Sequence, residues 1–183
     1  MAGYRSRSAY KLLQSSRRYG LLRRGDVVLD LGAFPGGWIQ VSRSLVGESG
    51  FILGVDLMEV EPLPYSNVAT LIGDVRDPAS LKLIRDRLPR APDVVISDVS
   101  PNLSGVWEVD HARQIQLAES SLRIATELLR QGGNFFVKVF QGDMMSGFVE
   151  QVRRLFDWVK LVKPPASRSR SAEIYVLARG FHG

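Results

Sequence analysis

The chain has no cysteine among its 183 residues and only two histidines, His111 and His182. Disulfides, thiolate metal sites and cysteine nucleophiles are thereby excluded. The two histidines are too far apart for a histidine-rich metal site. His111 is placed to open a helix and His182 lies in the tail, so both read as structural. No apolar run approaches the roughly 20 residues of a membrane-spanning helix, and no signal-peptide pattern opens the chain. The expectation is a soluble, cytoplasmic, monomeric protein without a metal. No G-x-x-x-x-G-K-[ST] sequence occurs, so a P-loop is excluded as well. Acidic residues are missing from the first 25 positions, which instead hold Arg5, Arg7, Lys11, Arg17, Arg18, Arg23 and Arg24.

That unbalanced segment sets the sign of the whole chain, whose formal net charge is +5. A second basic cluster follows late, at Lys160, Lys163, Arg168 and Arg170. Basic runs are often only solvated faces. A stretch with no compensating acid is, however, the footprint of phosphate contacts, and most of these residues are arginines, whose planar fork suits phosphate. Residues 1–25 are therefore expected to contact RNA. The remaining composition, 45% hydrophobic and 23% charged, is ordinary for a globular protein. The length suits one domain, residues 1–183, able to bury about 70% of its extended-chain surface.

Hydrophobic periodicity alternates between helix and strand. A short basic helix is expected from Ser8 to Tyr19, and a buried parallel strand at Val27–Leu31, where apolar residues are nearly continuous. A helix Gly36–Val46, strands Phe51–Val55 and Val68–Ile72, a helix Ser80–Leu88 stopped by Pro89, and a strand Val94–Ile96 follow. A longer helix, Asp110–Arg130, ends before Gly132-Gly133; then come a strand Phe135–Val139 and a helix Phe148–Phe156. Trp158–Val162 and Ile174–Leu177 read as a terminal antiparallel hairpin. Alternation of this kind implies an α/β fold, a mostly parallel sheet with helices on both faces.

In such sheets ligands bind at the carboxyl ends of the strands. Three strand ends there have the residue types a nucleoside cofactor needs. The first is Asp30-Leu31-Gly32-Ala33-Phe34-Pro35-Gly36-Gly37-Trp38, whose glycines let backbone approach a ligand without a Cβ clash. The second is Asp56, whose carboxylate can accept hydrogen bonds from both ribose hydroxyls. The third is Gly73-Asp74-Val75, placed toward the base. A lone aspartate at a strand end is usually a turn former; three in order argue for a site. A nicotinamide dinucleotide would also fit a glycine turn with Asp56, but its oxidoreductases need roughly 100–150 further residues for substrate.

A lysine inside the apolar run Phe135-Phe136-Val137-Lys138-Val139-Phe140 is the most informative single residue. Burying it is costly unless it is paired, and Asp98 and Glu173 offer carboxylates. The bland alternative is an edge strand with Lys138 facing water.

On these residues the chain resembles the FtsJ/RrmJ family of ribose 2′-O-methyltransferases. The resemblance is carried by R-S-R-S-A-Y-K-L (5–12), D-L-G-A-F-P-G-G-W (30–38), Asp56, Gly73-Asp74, S-D-V-S-P-N-L-S-G (97–105), F-V-K-V-F (136–140) and S-R-S-R-S-A-E-I-Y (167–175). It covers nearly the whole chain in the family's order. It implies a Rossmann-like seven-stranded methyltransferase fold and a Lys-Asp-Lys-Glu tetrad on Lys11, Asp98, Lys138 and Glu173. It also implies S-adenosyl-L-methionine held by Gly32, Pro35, Gly36, Gly37, Trp38, Asp56, Asp74, Val75 and Asp98. Phe34 stands where the family usually has a small residue. The chain opens almost at the Arg-Ser motif, so the customary basic extension is expected to be short, which bears on RNA affinity more than on chemistry.

The reaction expected is attack of a ribose 2′-hydroxyl on the sulfonium methyl. Lys138 would be the general base, Asp98 and Glu173 would orient, and Lys11 would tune and position. Absence of cysteine speaks against methylation at pyrimidine C5, and Asp98-Val99-Ser100-Pro101-Asn102 is not the Asn/Asp-Pro-Pro-aromatic turn of amino-group methyltransferases. The substrate expected is a uridine in large-subunit ribosomal RNA. A transfer-RNA or messenger-cap ribose, or a non-catalytic RNA-binding role, are the alternatives.

Overall fold

The computed structural model describes residues 3–183; Met1 and Ala2, where the expected RNA-contacting segment begins, lie outside the described residues. Elements follow in the order α1 (Ala9–Tyr19), β1 (Val27–Leu31), α2 (Gly37–Val46), β2 (Phe51–Asp56), β3 (Val68–Ile72), α3 (Ala79–Arg87), β4 (Val94–Ser97), α4 (Trp107–Leu128), β5 (Asn134–Phe140), α5 (Met145–Arg153), β6 (Phe156–Val162) and β7 (Glu173–Phe181). They build one seven-stranded sheet in the order β3-β2-β1-β4-β5-β7-β6. Strands β1 to β5 pair in parallel, whereas β7 runs antiparallel to both β5 and β6.

The continuous apolar run of β1 is explained by its place. Val28 points into a layer shared with Leu12 of α1 and Ile39 of α2, while Leu29 and Leu31 point into the layer of α3, α4 and α5. Each fully buried leucine or valine of this kind contributes roughly 1.5–3 kcal/mol relative to an exposed one. Chain order turns back between β1 and β4. That reversal is the switch point where the carboxyl ends of neighbouring strands open a crevice.

The elements agree with the sequence reading in number, order and type, while many of their ends shift by one to four residues. Helix α4 begins at Trp107, earlier than Asp110, which sits within its first turn. The Asp110 carboxylate reaches back to accept from the Ser104 N–H at 2.8 Å and the Gly105 N–H at 3.2 Å, tying the preceding loop to the helix. Helix α5 stops at Arg153, and Phe156 opens β6 instead, packing on Phe135 and Phe181 at ring separations of 6.1 and 5.4 Å. Strand β7 extends from Glu173 to Phe181, since it lies inside the sheet with a partner on each side. Strand β5 is likewise interior, between β4 and β7, and Lys138 is only 5% exposed. The edge-strand reading of Lys138 is thus excluded.

Candidate active site

Strand ends β1 to β4 enclose a cavity of about 630 Å³, large enough for a nucleoside-sized ligand. Gly32, Asp56, Asp74, Val75 and Asp98 all line it. Gly32 has φ +78°, and a Cβ there would meet the Val99 backbone N at 3.0 Å. Only glycine allows the β1 turn to pass so close to the β4 turn. Asp56 accepts hydrogen bonds from the Phe34 N–H at 3.0 Å and the Met58 N–H at 2.9 Å, which fix its carboxylate at the cavity wall. The guanidinium of Arg76 grips Asp74 at 3.0 and 2.9 Å; those hydrogen bonds hold the Asp74 carboxyl below the usual carboxylate range.

Pro35, Gly36, Gly37 and Trp38 are not among the residues lining the cavity. They seat the segment that leads into α1. The Arg5 guanidinium donates to the carbonyls of Pro35 at 3.2 Å, Glu61 at 2.6 Å and Pro62 at 3.1 Å. A Cβ on Gly37 would strike Ser6 Oγ at 2.2 Å, and the Trp38 indole N–H donates to the Ser8 carbonyl at 2.9 Å. Arg5, read from sequence as a phosphate contact, instead holds the fold together.

That seating delivers Lys11. Its Nζ lies 2.8 Å from Glu173 Oε2, and Lys138 Nζ lies 3.7 Å from Glu173 Oε1 and 3.5 Å from Asp98 Oδ1. The four residues expected together therefore do meet, at the carboxyl ends of β4 and β5 and the start of β7. Asp98 belongs to both sites. It lines the cavity, its main-chain carbonyl accepts from Lys138 Nζ at 3.1 Å, and its Oδ1 accepts from the Tyr175 hydroxyl at 2.8 Å. Lys138 Nζ also donates to Ser100 Oγ.

Tyr175 and Ser100 complete the cluster, and sequence reasoning missed both. Tyr175 faces Lys138 across β5 and β7 and stacks on Phe136 at 4.7 Å. Burial, then the charge of Asp98 and the hydrogen bond to it, push its phenol well above the ordinary range, so it stays a neutral donor. For Glu173, burial pushes the carboxyl up, but the Lys138 charge and the Lys11 hydrogen bond outweigh it and hold it below the ordinary range. Its stabilising contribution is present above the ordinary carboxylate pKa and fades as pH falls through the depressed value.

Asp30 is a different kind of acid. It is fully buried in β1, and neither side-chain oxygen has a hydrogen-bond partner. Burial first, then the charges of Asp98 and Asp56, push its carboxyl well above the ordinary range. A raised folded-state pKa favours folding at low pH and opposes it once pH rises past the unfolded value. Asp30→Asn is therefore expected to raise Tm near pH 7.5 by at least about 2–4 °C, roughly 1 kcal/mol for a chain of this size. The advantage should shrink toward pH 4, and thermal melts across that range check it.

Beside the tetrad, a groove of about 530 Å³ is lined by Arg7, Lys11, Arg168 and Arg170. The other late basic residues are occupied. Lys163 Nζ donates to the Ser171 carbonyl at 2.8 Å, and Lys160 lies over the Tyr19 ring at 5.6 Å. His111 is buried within α4, its Nε2 accepting from the Met144 N–H at 3.0 Å, and His182 is 3.7 Å from Asp157. Among the described residues no acidic or histidine group is arranged to hold a metal ion, and no helix is long and apolar enough to cross a membrane.

A Rossmann-like sheet with a nucleoside-sized crevice at its switch point, opening onto a lysine held by carboxylates, defines a methyltransferase. Comparison with known proteins agrees. The sequence model described as FtsJ-like methyltransferase matches residues 4–181. Ribosomal RNA large subunit methyltransferase E of Methanococcus vannielii is 51% identical over 180 residues, 98% of this chain and 70% of that protein. The protein of the same name from Methanocaldococcus jannaschii is 48% identical over 183 residues, covering 98% and 75%. A Plasmodium falciparum crystal structure assigned as a ribosomal RNA methyltransferase superposes with TM-score 0.86 at 26% identity, over 98% of this chain and 100% of that one. Aeropyrum pernix fibrillarin with bound S-adenosyl-L-methionine shares the fold, with TM-score 0.67 at 20% identity over 96% and 75%. The chain belongs to the FtsJ-like methyltransferase family, and with it to the S-adenosylmethionine-dependent enzymes.

Proposed function

We propose that this protein methylates the 2′-hydroxyl of a uridine in large-subunit ribosomal RNA. The reading is supported by the names of its relatives and, above all, by the way Lys138 is held. Each carboxylate beside Lys138 already carries another donor, Tyr175 on Asp98 and Lys11 on Glu173. The two carboxylates are thereby fixed in place, and with them the amine that must meet the reacting hydroxyl.

The cavity fits S-adenosyl-L-methionine. Asp56 would take the ribose hydroxyls, Asp74 and Val75 the adenine end, and Gly32 with Asp98 the amino-acid end; Pro35, Gly36, Gly37 and Trp38 would shape the loop from behind. When bound, the donor supplies a methyl group on a cationic sulfur, open to attack by a weak nucleophile. Lys138 holds the 2′-hydroxyl in line and takes its proton as the carbon–oxygen bond forms and the carbon–sulfur bond breaks. Asp98 and Glu173 orient the amine, Tyr175 orients Asp98, and Lys11 balances Glu173. Arg7, Arg168 and Arg170 contact the flanking phosphates. All four tetrad residues come from one chain, which suits a single domain, residues 1–183, that acts as a monomer in the cytoplasm with the exposed basic side chains of its N-terminal segment turned to RNA.

The test is transfer of labelled methyl from S-adenosyl-L-methionine to isolated large subunits and to bulk transfer RNA, followed by alkaline hydrolysis. A 2′-O-methyl group blocks cleavage of the neighbouring phosphodiester. Alkali-resistant label on large subunits supports the proposal. Label on transfer RNA alone overturns the substrate, and alkali-labile label overturns the chemistry.

A further inference from the structure

A ribonucleotide is two-sided, with charged phosphates on one flank of the ribose and a flat, apolar base on the other. The surface around the tetrad is two-sided in the same way. The arginine groove lies on the α1 side. Across the strand ends, on the α4 side, side chains that a folded protein would ordinarily cover stand open: Leu103 is 72% exposed, Val106 51% and Trp107 43%.

Trp107 is the best-braced of these. Its ring stacks on His111 at 5.3 Å, with planes 15° apart, and on Phe140 at 6.0 Å, with planes 20° apart. Both supports are nearly buried, at 4% and 8% exposed. Asp110 ties down the preceding loop through Ser104 and Gly105. The platform is also coupled to the catalytic strand. Gln114, fully buried in α4, donates to the Lys138 carbonyl at 2.7 Å and accepts from the Phe140 N–H at 2.8 Å. Phe140, which carries the indole, is the cross-strand neighbour of Glu173. A rigid, partly exposed indole thus stands at the rim of the tetrad, opposite the wall that suits phosphate.

We propose that Trp107 is a stacking platform for a base of the RNA substrate, at or next to the nucleotide whose ribose enters the tetrad. The inference rests on the RNA reading above. Aromatic stacking is sequence-tolerant because every base offers a π-face. Trp107 therefore adds affinity and seats the nucleotide, while its sequence is read elsewhere. The surrounding Leu103 and Val106 keep water from the base edge.

Methylation kinetics with protein-free large-subunit RNA and with intact subunits, for wild type, Trp107→Ala and Trp107→Phe, test the proposal. Loss of one stacked base weakens single-strand binding roughly 5- to 150-fold. Trp107→Ala should raise the RNA KM by that factor, leaving donor Kd and the rate at saturating RNA near wild type, and Trp107→Phe should recover most of it. In a Trp158→Phe background, an oligouridine should quench indole emission and an abasic oligomer of equal length should not. That readout stands even if the alanine variant folds poorly. An unchanged RNA KM in Trp107→Ala overturns the platform, as does equal quenching by the abasic strand. An effect seen with intact subunits but not with protein-free RNA reassigns the surface to a protein contact and overturns the base. Failure of the wild type to label any large-subunit RNA would instead overturn the function on which the inference rests.

Discussion

Replacing Lys138 by methionine is expected to lower methyl transfer by about 10²- to 10⁴-fold, the usual contribution of a positioned general base. Methionine is close to lysine in volume and carries no charge. Lys138 is 5% exposed, and its amine sits 3.5 and 3.7 Å from two carboxylates. Removing one partner of a buried charge pair costs about 3–5 kcal/mol where it leaves the other charge uncompensated. Here Tyr175 still donates to Asp98 and Lys11 still pairs with Glu173, which limits that loss; Tm should fall by several degrees with the variant still folded, and a thermal melt separates inactivity from unfolding. Donor Kd, read by calorimetry, should stay within about threefold, because Lys138 does not line the cavity. Lys138→Arg should be nearly as inactive, since a guanidinium keeps its proton. An arginine variant with substantial activity would show that the residue works through its positive charge, and the base would have to be sought elsewhere.

Lys138 is legible in the sequence because one charged residue interrupts a run of aromatics and valines, and burial makes that expensive unless it is used. The parallel core is legible from β1 to β4, short apolar runs with glycine or aspartate at or just after their ends. What the sequence hides depends on long-range pairing. Tyr175, in Ile174-Tyr175-Val176, reads as an ordinary strand aromatic, and its bond to Asp98 exists only because the terminal hairpin docks with β7, not β6, against β5. Arg5 and Lys163 read as basic residues available to phosphate, yet both are spent on main-chain carbonyls that the fold brings to them. The glycine loop is half legible. Gly32 meets the cavity, whereas the next turn, Pro35 to Trp38, faces the N-terminal segment, and no local pattern distinguishes the two sides.

Asp98 is where the two halves of the site are joined, so its loss should show in both. Asp98→Ala removes the acceptor of the Tyr175 hydroxyl, bonded at 2.8 Å, and one of the carboxylates nearest Lys138, at 3.5 Å. A buried donor left without a partner costs about 1–3 kcal/mol, which for a chain of this size lowers Tm by roughly 2–12 °C. The rate should fall about 10²- to 10³-fold as Lys138 loses its orientation. Donor affinity should fall about tenfold as the cavity loses a negative charge facing a cationic ligand. Asp98→Asn separates these effects. Its side-chain carbonyl can still accept from Tyr175, so Tm should recover, while the charge stays absent and both rate and donor affinity remain depressed. Thermal melts, donor titration and single-turnover methylation on the two variants read the three quantities independently. Full recovery of rate in the asparagine variant would mean that Asp98 acts through geometry alone. An alanine variant within about threefold of wild type would remove it from the tetrad.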